Sequence, residues 1–147
     1  METSFRQEDE ETYWKQLPTE FGGAKLVIKL QELIGQVPSW ELVSEFEAHL
    51  LREGGVTLAT RAQAPLRFLA EQTGWFTADE TNNALFEWQE IVFLYGISSL
   101  YKKSGSGWVS ELHFTMGGTN QPWLDTYGDW VVTFHEETII GLRRDQN

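Results

Sequence analysis

Three histidines in 147 residues bound the chemistry this chain could carry. His113 stands two residues from Glu111 in a stretch of alternating apolar and polar residues, so both side chains leave the same side of one strand. With His135 closing a neighbouring strand, the three would form an acid–base cluster on a sheet surface. The rival reading makes them the ordinary polar positions of an alternating strand. A second arrangement is Glu45, His49 and Glu53, at successive i+4 positions along a helix. Imidazole and carboxylate both ligate zinc or iron, yet the same spacing is common on exposed helix flanks and nothing else in the sequence completes a site. No serine sits on a Gly-x-Ser-x-Gly elbow, and no glycine-rich run opens a helix that could cradle phosphates. Zero cysteines remove thiolate metal sites, cysteine nucleophiles and a disulfide scaffold. The residues therefore predict no catalytic constellation, no metal and no cofactor.

Binding is better supplied. Trp123 follows Pro122 in a polar stretch beside Asp125, Tyr127 and Asp129, and the pair Glu136 and Glu137 makes a turn nearby in sequence. Aromatic anchors mixed with acids are the make-up of a protein interface, because Trp and Tyr dominate interface energies. The alternative is a loop tryptophan folded back as a lid over the sheet. A secondary candidate is the acidic stripe Glu80, Glu87 and Glu90, which also reads as the solvated face of a packed helix. The charge balance favours a cationic partner: 11 basic against 22 acidic residues leave a net charge of −11. Nucleic acid and anionic lipid both need a basic footprint, so neither is an expected direct partner. The polar, acidic start lacks a signal peptide's pattern, and the apolar stretch 91–97 is far below the ~20 residues of a membrane span. A cytoplasmic location follows as an expectation.

The elements that must position these residues read as helices first and strands last. Leu26, Val27, Leu30, Leu33 and Ile34 fall at helical spacing over 24–34, with Gly35 as a stop. Ser39 is an N-cap for a second helix with Leu42, Val43, Phe46 and Leu50 as its buried stripe, ended by Gly54 and Gly55. A third helix starts at Pro65 and runs to Gln72, with 56–61 left open between strand and loop. Thr77 to Glu80 forms a capping box opening a fourth helix that continues to about Lys103. That segment is apolar on two sides, and one helix is expected over 78–95. Residues 104–107 read as a flexible link and 117–122 as a loop. Strands follow at 108–115, 129–135 and 138–143, the last two a hairpin about Glu136-Glu137.

The expected fold is α+β, with N-terminal helices packed on a C-terminal antiparallel β-meander of three or more strands. It forms a single domain over 1–147, with residues 1–12 a mobile acidic terminus and Trp88, Trp108, Trp130 and Phe134 mostly buried in the core. In composition and architecture the chain resembles cytoplasmic bacterial immunity proteins, which are small, acidic, aromatic-rich α+β domains. The resemblance implies a non-catalytic module that neutralises a basic partner such as a toxin. Two alternatives stay open: a small-molecule enzyme or carrier with a helix–sheet pocket lined by Trp and His, and an inhibitor that imitates nucleic acid with its acids.

Overall fold

A computed structural model describes residues 4–30, 37–98, 108–118 and 121–146. Seven strands lie side by side in chain order: β1 (Arg6–Asp9), β2 (Thr12–Gln16), β3 (Lys25–Lys29), β4 (Leu85–Leu94), β5 (Val109–Gly118), β6 (Gln121–His135) and β7 (Thr138–Gln146). Every neighbouring pair is antiparallel except β3 and β4, which run parallel. A parallel pair needs a crossover, and the helices supply it. Between β3 and β4 lie α1 (Trp40–His49), a π-helical turn (Leu50–Gly54), α2 (Gly55–Thr73) and α3 (Ala78–Asn82). The fold is α+β, but the helices sit mid-chain with strands on both sides, which corrects the expected order of N-terminal helices and C-terminal strands. Among the described residues no helix is long and apolar enough to cross a membrane.

Two expected helices are strands, for one physical reason. In β3, Leu26 and Ile28 enter the core beneath the helices, while Val27 joins Val92, Leu94 and Val109 in a smaller cluster on the opposite face. A strand buried on both sides shows no alternation, so a helical spacing fits it equally well. In β4 the cause is a bulge. Trp88 pairs with Phe114 and Glu90 with His113, leaving Gln89 without a counterpart. The core-facing set therefore runs Phe86, Trp88, then slips one residue to Ile91, Phe93, and this phase slip spreads apolar residues over two sides of a helical wheel. The capping box is real: Thr77 Oγ1 accepts from the Glu80 N–H at 3.1 Å and Glu80 Oε1 from the Thr77 N–H at 2.8 Å. It caps only α3, not a helix reaching Tyr95. The expectations over 31–34 and 99–107 lie outside the described residues.

Other differences are smaller. Residues 56–61 belong to α2, which passes through Pro65 rather than starting there. Within residues 4–12, Arg6–Asp9 forms an edge strand, and Asp9 Oδ1 accepts the Glu11 N–H at 2.9 Å to close its turn. Gly117 and Gly118 end β5 instead of opening a loop. The hairpin stands as expected, with Glu136-Glu137 between β6 and β7.

The helices cover one sheet face. Trp130, Phe134, Phe93 and Phe114 are fully buried there, and Phe46 of α1 stacks on Phe93 at 4.3 Å. Trp88 and Trp108 pack at the core's margin, half-buried rather than inside it. Gln63 fastens α2 to β4 by imitating a strand: its amide donates to the Phe86 carbonyl at 2.8 Å and accepts the Phe86 N–H at 3.1 Å.

Candidate functional site

The sheet face away from the helices carries a chain of charges. His113 Nδ1 lies 2.7 Å from Asp129 Oδ2, and its Nε2 lies 3.4 Å from Glu111 Oε1. Glu111 Oε2 accepts from Arg143 Nη1 at 2.8 Å, and Arg143 Nε donates to Asp145 at 3.0 Å. Glu90, paired with His113 across β4 and β5, adds its field. Burial disfavours the imidazolium, but hydrogen bonds from Asp129 and Glu111 outweigh it and push the His113 pKa up to about 9. Its hydrogen bond to His113, with help from Arg143 and against burial, brings Glu111 down to about 2. His113 thus keeps its proton at neutral pH and has both ring nitrogens facing carboxylates. It offers a fixed cation tying β5 to β6, not a lone pair that could take up a proton.

A different arrangement occupies the start of β6. Between the pairs Phe114↔Trp130 and Met116↔Asp125, two steps along β5 stand against five along β6. The extra residues bulge, and Asp125 is swung onto Arg144 of β7, with Oδ2 2.7 Å from Nε and Oδ1 3.0 Å from Nη2. Asp125 Oδ2 also accepts Trp130 Nε1–H at 2.9 Å. Gly128 makes this closure feasible, because a Cβ there would fall onto the Asp125 carboxylate and 2.8 Å from Arg144 Nε. The two-point salt link to Arg144 outweighs partial burial and lowers the Asp125 pKa. Trp75, just past the left-handed Gly74 that ends α2, lays its ring over the Arg144 guanidinium at 4.8 Å. Trp75 and Tyr127 are each 63% exposed and Trp123 is 54% exposed. One of the three open aromatics, Trp75, touches this internally neutralised ion pair, and the other two flank Asp125 along β6.

Of the sequence candidates, Trp123 and Tyr127 present their rings to solvent, while Asp125 and Asp129 are engaged by Arg144 and His113. Glu136 and Glu137 follow the far end of β6, about ten strand positions or roughly 33 Å from Trp123 once the bulged residues are discounted, so they do not share its surface. Glu136 takes a positive φ of 56° in the turn; the Glu137 carbonyl accepts from Arg61 Nη1 at 3.2 Å, beside an open cleft lined by His49, Arg52 and Thr57. Of the acidic stripe, Glu80 closes the capping box of α3, while the bulge keeps Glu87 and Glu90 on one face of β4, Glu87 opposite Thr115 and Glu90 opposite His113. Of the helical trio, His49 lies against Trp108 with the π-helical turn following it, and the Glu53 side chain lies outside what the structure describes. Among the described residues, no group of three or more potential ligands is placed to hold a metal ion. His135 ends β6 opposite Val109, on the same sheet face as Glu111 and His113 and one same-face position beyond the Glu111↔Thr133 pair. Sequence reasoning passed over Trp75 and Arg144; a tryptophan directly after a helix-ending glycine was the only local signal. No family model matches the chain, and no curated protein or solved structure matches it.

Proposed function

We propose that the chain is a non-catalytic protein-binding module, an immunity-type inhibitor that neutralises a basic protein such as a bacterial toxin. The observation that carries this reading is the exposure of Trp75, Trp123 and Tyr127 around the Asp125–Arg144 pair. Rings of this size are open to water at one end of the sheet, and exposed aromatics beside an already neutralised ion pair suit the water-excluding centre of an interface. The net charge of −11 adds long-range attraction for a cationic partner. The enzyme reading is less well supported: the strongest acid–base candidate, His113, is a paired cation at neutral pH. Nucleic-acid mimicry is weakened as well, because Glu111, Asp125 and Asp129 spend their charge on internal partners.

The test is affinity capture on the tagged full chain from its native host, followed by binding kinetics with the captured partner. Trp123→Ala and Tyr127→Ala should each raise the off-rate, costing ~2 kcal/mol or more, with little change in on-rate. Unchanged off-rates in both variants would reject this surface.

A further inference from the structure

The second acidic region of interest lies beside β4. β3 accompanies β4 only from Glu90 onward, since Lys25 pairs with Glu90 and Lys29 with Leu94. Before Lys25 the chain turns away through Phe21, Gly22 and Gly23, the two glycines at φ 67° and 79°. A cleft of about 390 Å³ opens between this turn and the first half of β4. Phe21 and Trp88 meet edge to face in it at 6.0 Å, and the exposed Val56 of α2 adds an aliphatic wall. Glu20 and Glu87 line it as well, and both residues are solvent-exposed. Unlike Glu111, Asp125 and Asp129, neither carboxylate meets a cation among the described residues.

Resting on the reading above, we propose that this cleft receives an arginine side chain of the basic partner. Aromatic rings attract a guanidinium, Val56 suits its aliphatic stem, and Glu20 and Glu87, neither of which meets a cation among the described residues, supply charge at the rim, Glu87 from the far side of the β4 edge because it alternates with Trp88. Position agrees. Phe86 pairs with Met116, and Met116 with Asp125, so the cleft and the aromatic patch share one end of the sheet, two strand spacings or ~10 Å apart. One partner footprint of ~800 Å² spans both.

The test needs no identified partner. Amide and indole spectra of the full chain are titrated with N-acetyl-arginine amide, and separately with its neutral analogue N-acetyl-citrulline amide. Saturable shifts are expected at Phe21, Gly22, Glu87 and the Trp88 indole, with citrulline at least tenfold weaker. The double variant E20Q/E87Q should weaken arginine binding at least tenfold with an unchanged Tm, whereas E8Q/E10Q, the same charge change on β1 and its turn, should not. Equal response to citrulline, unsaturable shifts spread over the surface, or equal weakening by E8Q/E10Q would overturn the proposal. Capture of the partner separates the two readings. If E20Q/E87Q captures it as well as wild type and arginine leaves the cleft silent, the cleft proposal falls and the binder stands. Saturable arginine binding at the cleft alongside aromatic variants with unchanged off-rates keeps the cleft and removes the aromatic surface.

Discussion

His113 is held as a cation by carboxylates on its own strand and on β6, and this makes a pH signature. Its folded pKa of about 9 exceeds the ordinary 6.5, so the stability it contributes is fully present below about pH 6.5 and is lost as pH rises through about 9. Glu111 works in the other direction: its contribution is present above about pH 4.5 and disappears as pH falls toward 2. Denaturant unfolding as a function of pH should show a shoulder on the alkaline side that His113→Gln abolishes, at a cost of roughly 1.5–3 kcal/mol near pH 6. Gly128 is needed for a different reason, the close approach of Asp125 and Arg144. Gly128→Ala should cost about 1–3 kcal/mol through the displaced ion pair, and Asp125→Ala about 3 kcal/mol because Arg144 is left partly buried without its carboxylate. Trp123→Ala, by contrast, should leave thermal unfolding within ~0.5 kcal/mol of wild type, since its ring is exposed. Residue types alone single out Trp123 and Tyr127 as candidate anchors, and both rings are exposed. They left Trp75 unmarked, because a turn at Gly74 and a cation from β7 bring it into place, and both are tertiary facts.

At the scale of elements, what the sequence made legible is what lies under a single kind of burial. β5, the second half of β6, and β7 alternate with one covered face and were readable, as were the Ser39 cap and the Thr77–Glu80 box, whose bonds are local. β3 was not, because it is buried on both faces, and β4 was not, because its bulge shifts the alternation by one residue. The bulge gives a clean experiment. Deleting Gln89 removes the extra residue and leaves Phe86, Trp88, Ile91 and Phe93 alternating regularly onto the core face, so a change of under ~1 kcal/mol is expected in thermal or denaturant unfolding; deleting Val92, outside the bulge, turns Ile91 or Phe93 off that face and should cost at least ~3 kcal/mol. Gln89→Ala keeps the residue count and should change stability by under ~1 kcal/mol, because that side chain is exposed. Equal effects of the two deletions would mean that the bulge sets no register.

Over the whole molecule, five of the six neighbouring strand pairs are antiparallel, and one, β3 with β4, is parallel across the helical crossover. Joining β3 to β4 means bringing Lys25 beside Glu90, after the entire helical crossover has been laid down. Closing a loop of about 60 residues costs ~3–4 kcal/mol of chain entropy beyond the constant term, whereas each hairpin of β4 to β7 closes over a far shorter span. The order of assembly follows. β5, β6 and β7 pair early, and β1 to β3 dock last, so the transition state is built from the C-terminal half while the N-terminal hairpins are still loose. Val132→Ala, in the centre of β6, should therefore slow refolding, and Leu26→Ala, in β3, should chiefly hasten unfolding, although both side chains are fully buried. Stopped-flow chevrons of the two variants separate these limbs. The same asymmetry sets where the native state opens first: amide protons of β2 and β3 should exchange through partial opening at a smaller free energy than those of β5 and β6, whose exchange requires global unfolding.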